Sequence, residues 1–208
     1  MRLSLLNGLF ALLVGLLAAG PTRAEPWAVL PEAQPTRNPA KVEVIEFFWY
    51  GCSHCYDVEP RVASWLSRQP ADAVEFVRVP AIFNPRWAVL GRAFYAMQHL
   101  NLGDETHRAL FDAIHRDRRN LNDEASLTEF FATLGVPSQK FRAAFNDFDV
   151  DGKVRRANRM TAAYGLEGVP TFIVNGKYRI DGTIAGSQAG MFEALDQLVA
   201  QELKQLKK

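Results

Sequence analysis

The feature that most restricts the fold of this chain is a single Cys-x-x-Cys motif formed by its only two cysteines, Cys52 and Cys55. The run before it, Val42 to Tyr50, is rich in β-branched and aromatic residues and predicts a strand covered on both faces. After Cys55, apolar residues recur at helical spacing, with a kink expected at Pro60. The motif therefore lies at a strand-to-helix junction, where free N–H groups and the helix dipole favour a thiolate at the first cysteine.

The composition excludes several classes of protein. The chain has 208 residues, of which 48% are hydrophobic and 23% charged, so it can bury a core and is not disordered. Its 24 basic and 23 acidic residues leave no excess positive charge with which to hold nucleic acid. Two cysteines are too few for a disulfide scaffold, and a bond across a two-residue gap constrains little of the unfolded chain. A redox role for the pair is therefore favoured over a structural one.

The N-terminal segment predicts a secretory signal peptide. Arg2 precedes an almost uncharged apolar run from Leu3 to Ala19, and Thr22-Arg23-Ala24 supplies a cleavage site. A membrane anchor is the alternative, but the run is somewhat shorter than the ~20 apolar residues that span a bilayer. We therefore expect cleavage after Ala24 and export to an oxidising compartment, where two neighbouring thiols cycle or are joined.

A metal site is another use of a Cys-x-x-Cys pair. Structural zinc needs four ligands, and only His54, His99, His107 and His115 could complete the set. His54 lies between the cysteines, and His107 shares helical spacing with apolar residues, which is typical of the edge of a core. Covalent haem attachment requires a histidine where this chain has Tyr56. We therefore expect no metal and no cofactor beyond the redox-active disulfide itself.

The C-terminal region predicts a hairpin. Pro170 to Val174 and Lys177 to Ile180 have strand composition, and Asn175-Gly176 between them is a strong turn signal. Proline is tolerated at the first position of a strand, and taken alone Pro170 is an ordinary trans residue.

The interval between motif and hairpin predicts helices. Asp104, Asp123 and Ser138 are suitable N-caps, and the basic run Arg116 to Arg119 indicates a solvated helix end. Glu25 to Pro39, with four prolines, predicts an extended arm laid on the domain. The predicted helices are Pro85–Asn101, Asp104–Asn120, Asp123–Leu134, Ser138–Asn146 and Asp149–Tyr164.

These elements together carry a family resemblance. A strand, the Cys-x-x-Cys motif, a helix, and then Val169-Pro170-Thr171 opening a hairpin before a terminal helix resemble the thioredoxin fold. The 115 positions from Cys55 to Pro170 leave room for a helical insertion. With this spacing the chain resembles the DsbA family of exported thiol:disulfide oxidoreductases, and Glu46 and Glu59 stand where that family carries acids.

The resemblance implies an α/β, thioredoxin-like fold with an inserted all-helical subdomain. Together with the signal-peptide pattern, it predicts a division of the chain into five segments. The segments are a signal peptide at 1–24, an N-terminal arm at 25–40, a first thioredoxin-like segment at 41–84, the helical insertion at 85–158 and a second thioredoxin-like segment at 159–208.

The resemblance implies a role for each residue around the motif. Cys52 is the exposed thiol that forms a mixed disulfide with a substrate, Cys55 is its buried partner, and His54 adds charge or a hydrogen bond. Pro170 is cis and lies opposite the disulfide, and the backbone from Val169 to Thr171 binds an extended substrate.

Three positions modify this expectation. Glu46 is either an acid at an exposed strand edge or, in a central strand, a buried carboxylate with a raised pKa that exchanges protons with Cys55. Arg78 stands near this acid where the family often has lysine, and a guanidinium does not give up its proton. Ser53 stands where the family commonly has proline. The resemblance therefore predicts the fold more firmly than it predicts how strong an oxidant the protein is.

The implied function is donation of the Cys52–Cys55 disulfide to exported proteins in the periplasm. The implied partners are reduced or unfolded exported proteins and a membrane-embedded, quinone-linked reoxidase of DsbB type, with the protein itself a monomer. The alternatives are a disulfide isomerase or reductase of the same fold and a peptide-binding chaperone whose disulfide is incidental. Isomerases of this compartment usually add a dimerisation segment, which the short arm before Val42 does not provide.

Overall fold

A mixed five-stranded sheet forms the centre of the computed structural model, which describes residues 25–206. The predicted signal peptide and its cleavage site lie outside the described residues. Strand β2 runs parallel to β3, and the other neighbouring strands pair antiparallel in the order β1-β5-β4-β2-β3. The strands are β1 (Ala28–Val29), β2 (Val42–Phe48), β3 (Val74–Pro80), β4 (Thr171–Val174) and β5 (Tyr178–Asp181).

Strand β2 is central and buried along its whole length, as its apolar composition predicts. It ends at Phe48, two residues earlier than expected. The reason is a turn in which the N–H of Cys52 donates to the carbonyl of Trp49 at 2.9 Å, so the chain reverses into the first helix. The cysteine motif is thereby fixed at the carboxyl end of the central strand.

Eight helices are present within residues 25–206, and the five predicted for the insertion are among them. Helices α2 to α6 follow one another between β3 and β4, as expected for a helical insertion. The division of the chain at residues 84 and 158 stays a prediction. The helices are α1 (Ser53–Leu66), α2 (Pro85–His99), α3 (Asp104–His115), α4 (Glu124–Thr133), α5 (Ser138–Phe145), α6 (Phe148–Ala163), α7 (Gly182–Ala185) and α8 (Gln188–Leu206).

Helix α3 is shorter than the predicted Asp104–Asn120. It ends at His115 because the amides of Asp117 and Arg119 bond back to carbonyls of the last turn and Arg118 adopts a positive φ of 54°. The basic run therefore follows the helix on the surface, as a solvated end does.

Two of the three predicted N-caps are wrong. The side chain of Asp123 accepts the N–H of Ser126 at 2.8 Å and caps α4 as expected. Gly103 caps α3 and Pro137 caps α5, so Asp104 and Ser138 are the first helical residues instead. An acid in the first turn still interacts favourably with the helix dipole, which explains why Asp104 suits this place equally well.

The sheet separates two hydrophobic clusters. Val42 and Val44 of β2 pack with α1 and α8, whereas Ile45 and Phe47 face the helical insertion. Alternate residues of a strand point to opposite faces, so a central strand needs apolar residues at both sets of positions. This double burial fixes the end of β2, and with it the motif.

The predicted hairpin is present, and residues of the predicted arm pair with it. Asn175 and Gly176 form the turn between β4 and β5 with φ values of 51° and 64°. The arm adds β1 at the edge of the sheet, and the N–H of Gln34 donates to the carbonyl of Gly176 at 2.9 Å. A Cβ on Gly176 would lie 2.0 Å from the carbonyl oxygen of Gln34, so this approach requires glycine.

Candidate active site

Cys52 is the N-cap residue of α1. Its carbonyl accepts the N–H of Tyr56 at 3.1 Å, while its side chain caps none of the free amides of the first turn. The sulfur is partly exposed and lies at the positive end of the helix dipole. The strand-to-helix junction predicted from the sequence therefore places this thiol where a negative charge is favoured.

The pKa of Cys52 is lowered to about 6. The largest cause is a hydrogen bond from the thiol of Cys55 to the Cys52 sulfur. Partial burial acts against ionisation, but the backbone N–H groups of Cys55 and His54 and the positive charge of His54 add to the stabilisation. At neutral pH the reduced protein therefore carries a thiolate at Cys52.

Cys55 has the opposite environment. It is fully buried, and burial is the largest cause of a pKa well above the usual value. Its bond to the Cys52 sulfur and the negative charges of Cys52 and Glu46 raise the pKa further. The two thiols of the motif are thus unequal, and only the first ionises near neutral pH.

The loop before β4 lies against the first cysteine. The Val169–Pro170 peptide bond is cis, as the family resemblance implies. In the thiol form, Cys52 Sγ donates to the carbonyl oxygen of Val169 at 3.4 Å, although 117 positions separate the two residues. Thr171, buried as the first residue of β4, fixes this loop by donating its hydroxyl to the carbonyl of Gly168 at 2.8 Å.

A cavity of about 520 Å³ opens beside this loop. His54 and Ser53 lie exposed in the first turn of α1, and His54 forms part of the cavity wall. The cavity is lined by the loop, by the β5–α7 region and by the start of α8, including Glu167, Val169, Pro170, Arg179, Asp181 and Met191. The cavity wall therefore joins the exposed His54 of the motif to the loop that contains the cis proline.

Glu46 is buried in the central strand, which excludes the edge position considered from the sequence. Arg78 is its neighbour across the β2–β3 pair, and Nε of Arg78 lies 3.2 Å from Oε2 of Glu46. The same guanidinium donates to Oε2 of Glu59 at 3.1 Å and contacts the exposed Asp104 at 3.4 Å. One buried cation therefore serves two buried carboxylates.

The two carboxylates respond differently to this shared cation. Burial raises the pKa of Glu46 to about 8, because desolvation outweighs the attraction of Arg78. Burial also acts to raise the pKa of Glu59, but hydrogen bonds from His107 and Arg78 and the charge of Arg78 outweigh it and leave the pKa below its usual value. With Glu46 protonated and Glu59 ionised, the charge on Arg78 is balanced inside the protein.

His107 and Tyr50 extend this network, although no sequence pattern indicated a role for either. The Tyr50 hydroxyl lies 2.5 Å from Nδ1 of His107, whose Nε2 lies 3.2 Å from Oε1 of Glu59. Burial lowers the pKa of His107, so the neutral ring donates to Glu59 and accepts from Tyr50. Helical spacing correctly indicated a buried histidine at 107. Its proximity to an acid in another helix had no sequence signal.

The remaining histidines do not form a metal site. His115 lies 2.7 Å from the Tyr50 carbonyl and stacks on Tyr56, while His99 lies 3.9 Å from Asp147. Within residues 25–206 no group of three or more His, Cys, Asp or Glu side chains is arranged to hold a metal ion. In the same range, no helix combines the length and apolarity that crossing a membrane requires.

Comparisons with known proteins agree with this geometry. Residues 77–196 match the family model described as a DSBA-like thioredoxin domain. The thiol:disulfide interchange protein DsbA of Pseudomonas aeruginosa is 37% identical over 187 residues, covering 90% of this chain and 88% of that protein. The DsbA of Burkholderia cepacia is 38% identical over 195 residues, covering 93% and 92%.

A solved structure gives the same result. The crystal structure of Pseudomonas aeruginosa DsbA superposes with a TM-score of 0.83 at 38% identity, covering 88% of this chain and 95% of that one. The predicted thioredoxin-like fold with its helical insertion is thereby confirmed.

The Cys55 bond should control the ionisation of Cys52. We expect the thiolate absorbance of the reduced protein to titrate with a pKa of about 6. Replacing the donor in Cys55→Ala should move this pKa upward, toward the usual value near 8.5, whereas Cys55→Ser should move it less because the hydroxyl still donates. Titration of the single-cysteine variants by ultraviolet absorbance measures both shifts. An equal pKa in the alanine and serine variants would contradict this assignment.

Proposed function

Because the chain belongs to the DsbA family and is a thiol:disulfide oxidoreductase that acts on substrate proteins, we propose that Cys52 and Cys55 are its redox pair. A substrate thiolate attacks the Cys52 sulfur of the disulfide form, and Cys55 leaves with the electron pair. A second substrate thiolate then attacks the substrate sulfur of the mixed disulfide and releases Cys52 as a thiolate. The substrate loses two electrons, and the pair gains them.

The observation that carries this direction of transfer is the low pKa of Cys52. A thiolate that is stable at neutral pH is a good leaving group in the second step. The same stability favours the reduced pair over the disulfide, which raises the reduction potential of the pair and so favours the role of an oxidant. Serine at position 53 has a backbone N–H, which a proline there would lack. An additional N–H next to Cys52 is compatible with a negative charge on the Cys52 sulfur.

We further propose that Glu46 supplies the proton that Cys55 needs when it leaves. Cys55 is buried, and its thiolate is strongly disfavoured. Glu46 is close enough for its charge to raise the pKa of Cys55, and its own pKa of about 8 keeps it protonated at neutral pH. Arg78 holds Glu46 in place without exchanging a proton, and Glu59 supports Arg78 from the helix side.

The substrate is proposed to bind as an extended strand along Val169, Pro170 and Thr171. The carbonyl oxygen of Val169 lies 3.4 Å from the Cys52 sulfur, so a substrate backbone that pairs with this loop would lie beside the sulfur it attacks. The adjoining cavity with His54 in its wall gives room for neighbouring residues of that strand. Backbone pairing of this kind provides affinity with little dependence on side chains.

The cellular compartment of this reaction is proposed from the sequence. The N-terminal 24 residues have the composition of a signal peptide, so we place the mature protein in the periplasm after cleavage at Ala24. There it would oxidise exported proteins as a monomer. A quinone-linked membrane reoxidase of DsbB type would regenerate the disulfide by accepting the two electrons.

The central test is a cysteine exchange. The variant Cys52→Ser should lose essentially all oxidation of a reduced dithiol peptide, and so should Cys55→Ser, because neither can form the donor disulfide. Reduced Cys55→Ser should instead accumulate a mixed disulfide with the disulfide form of the peptide, because the Cys52 thiolate attacks that disulfide and Cys55 is absent to resolve the product. Peptide thiol content and mass spectrometry measure the two outcomes. Full activity of Cys52→Ser would rule out the redox pair. Retained suppression of aggregation without any oxidation in the native protein would favour a chaperone instead.

The proton role of Glu46 predicts a pH effect. Since a raised pKa keeps Glu46 protonated only below about pH 8, the rate per substrate thiolate should fall as the pH rises through this value. In Glu46→Gln, which cannot donate the proton, the rate at neutral pH should drop on the order of a hundredfold and lose this pH dependence. Stopped-flow oxidation across pH 6 to 10 (roughly the window set by these pKa values) measures it. An unchanged profile in Glu46→Gln would contradict the role.

A further inference from the structure

Three aromatic side chains form a continuous row that begins beside the reactive cysteine. The rings of Trp49 and Trp87 stack with centroids 4.1 Å apart and an interplanar angle of 6°. The ring of Phe83 meets Trp87 edge to face at 5.0 Å and 83°. We call Trp49, Trp87 and Phe83 the aromatic row. It joins the end of β2 to the loop before α2 and the first turn of that helix.

Gly51 brings the row close to Cys52. A Cβ on Gly51 would lie 2.3 Å from the Trp49 ring, so the indole lies directly over the backbone of the residue that precedes Cys52. Any larger side chain at position 51 would displace this ring. The local sequence therefore keeps an aromatic face against the backbone next to the sulfur.

The outer end of the row is open. Phe83 is 39% exposed, and Trp49 and Trp87 are only partly buried. Nε1 of Trp49 is buried without a hydrogen-bond partner among the described residues, which is unfavourable for stability. A stack that served packing alone would gain from covering Phe83 and pairing this N–H.

We propose that the aromatic row is a docking surface for an aromatic side chain that lies next to the reactive cysteine of a substrate. The inference rests on the proposed function, because the mixed disulfide brings the substrate chain to Cys52 and so past the row. Aromatic side chains add edge-to-face or offset-stacked contacts to such a surface beyond simple burial of area. Backbone pairing at Val169 does not distinguish one substrate side chain from another. The aromatic row would therefore supply the preference for an aromatic side chain.

The experiment compares two reduced dithiol peptides that differ only in having tryptophan or alanine beside one cysteine. The native protein should oxidise the tryptophan peptide about fivefold faster in kcat/KM, the size expected for one aromatic contact. Phe83→Ala and Trp87→Leu should each bring this ratio close to one. Trp87→Leu keeps an apolar side chain, so it tests the ring rather than burial.

A matched control is Phe148→Ala in α6. Phe148 is 79% exposed and pairs with the guanidinium of Arg155 rather than with any ring of the aromatic row. This variant should keep the fivefold ratio. If Phe83→Ala and Trp87→Leu also keep it, or if they slow both peptides equally, the aromatic row does not read the substrate and the proposal is wrong.

A binding measurement separates this proposal from the proposed function. Peptides with both cysteines replaced by serine cannot react, and their affinity is measured by isothermal titration calorimetry. Tighter binding of the tryptophan peptide, lost in Phe83→Ala, would support the docking surface even if the native protein oxidised neither reactive peptide. Equal affinity for the two serine peptides would overturn the docking surface while leaving the redox pair intact.

Discussion

The hydrogen bond from the buried thiol of Cys55 to the sulfur of Cys52 is the interaction on which the chemistry of this protein depends. It is possible because the first turn of α1 brings residue 55 beside residue 52 at the end of a fully buried strand. Burial keeps Cys55 protonated, so it can donate, and exposure at the helix N-terminus lets Cys52 hold the charge. A difference in burial between two identical side chains thus makes one of them the leaving group.

The buried charges below the motif follow the same principle. Glu46 and Glu59 share Arg78, yet desolvation prevails at one carboxyl and hydrogen bonding at the other. Two titratable groups whose environments separate their pKa values can divide the work of proton donor and charge partner. Arginine suits this place because it stays charged and can bond to several oxygens at once.

The local features of this arrangement could be predicted from the sequence. Strand composition, helical spacing and the Asn175-Gly176 turn give the elements that carry the motif, and the family resemblance adds the cis Pro170. Helix ends were less predictable. Helix α3 ends at His115 because of backbone hydrogen bonds that no residue type in the sequence indicates. The contact between Cys52 and Val169 came only from the family resemblance, because its partners are 117 positions apart.

The side-chain network around Tyr50 and His107 was missed altogether. Tyr50 lies in the turn after β2 and His107 in α3, and their contact depends on how the insertion packs on the sheet. The stack of Trp49 on Trp87 has the same origin. Local sequence patterns indicate which side chains are buried, but not which distant side chain each one meets.

The most direct test of the account is the reduction potential of the Cys52–Cys55 pair as a function of pH, measured by equilibrium with glutathione. Reduction takes up two protons below the pKa of Cys52 and one above it. The slope should therefore change from about 59 to about 30 mV per pH unit near pH 6, and the potential should be more oxidising than the roughly −270 mV of thioredoxin. A straight line through pH 6 with a thioredoxin-like potential would contradict the account.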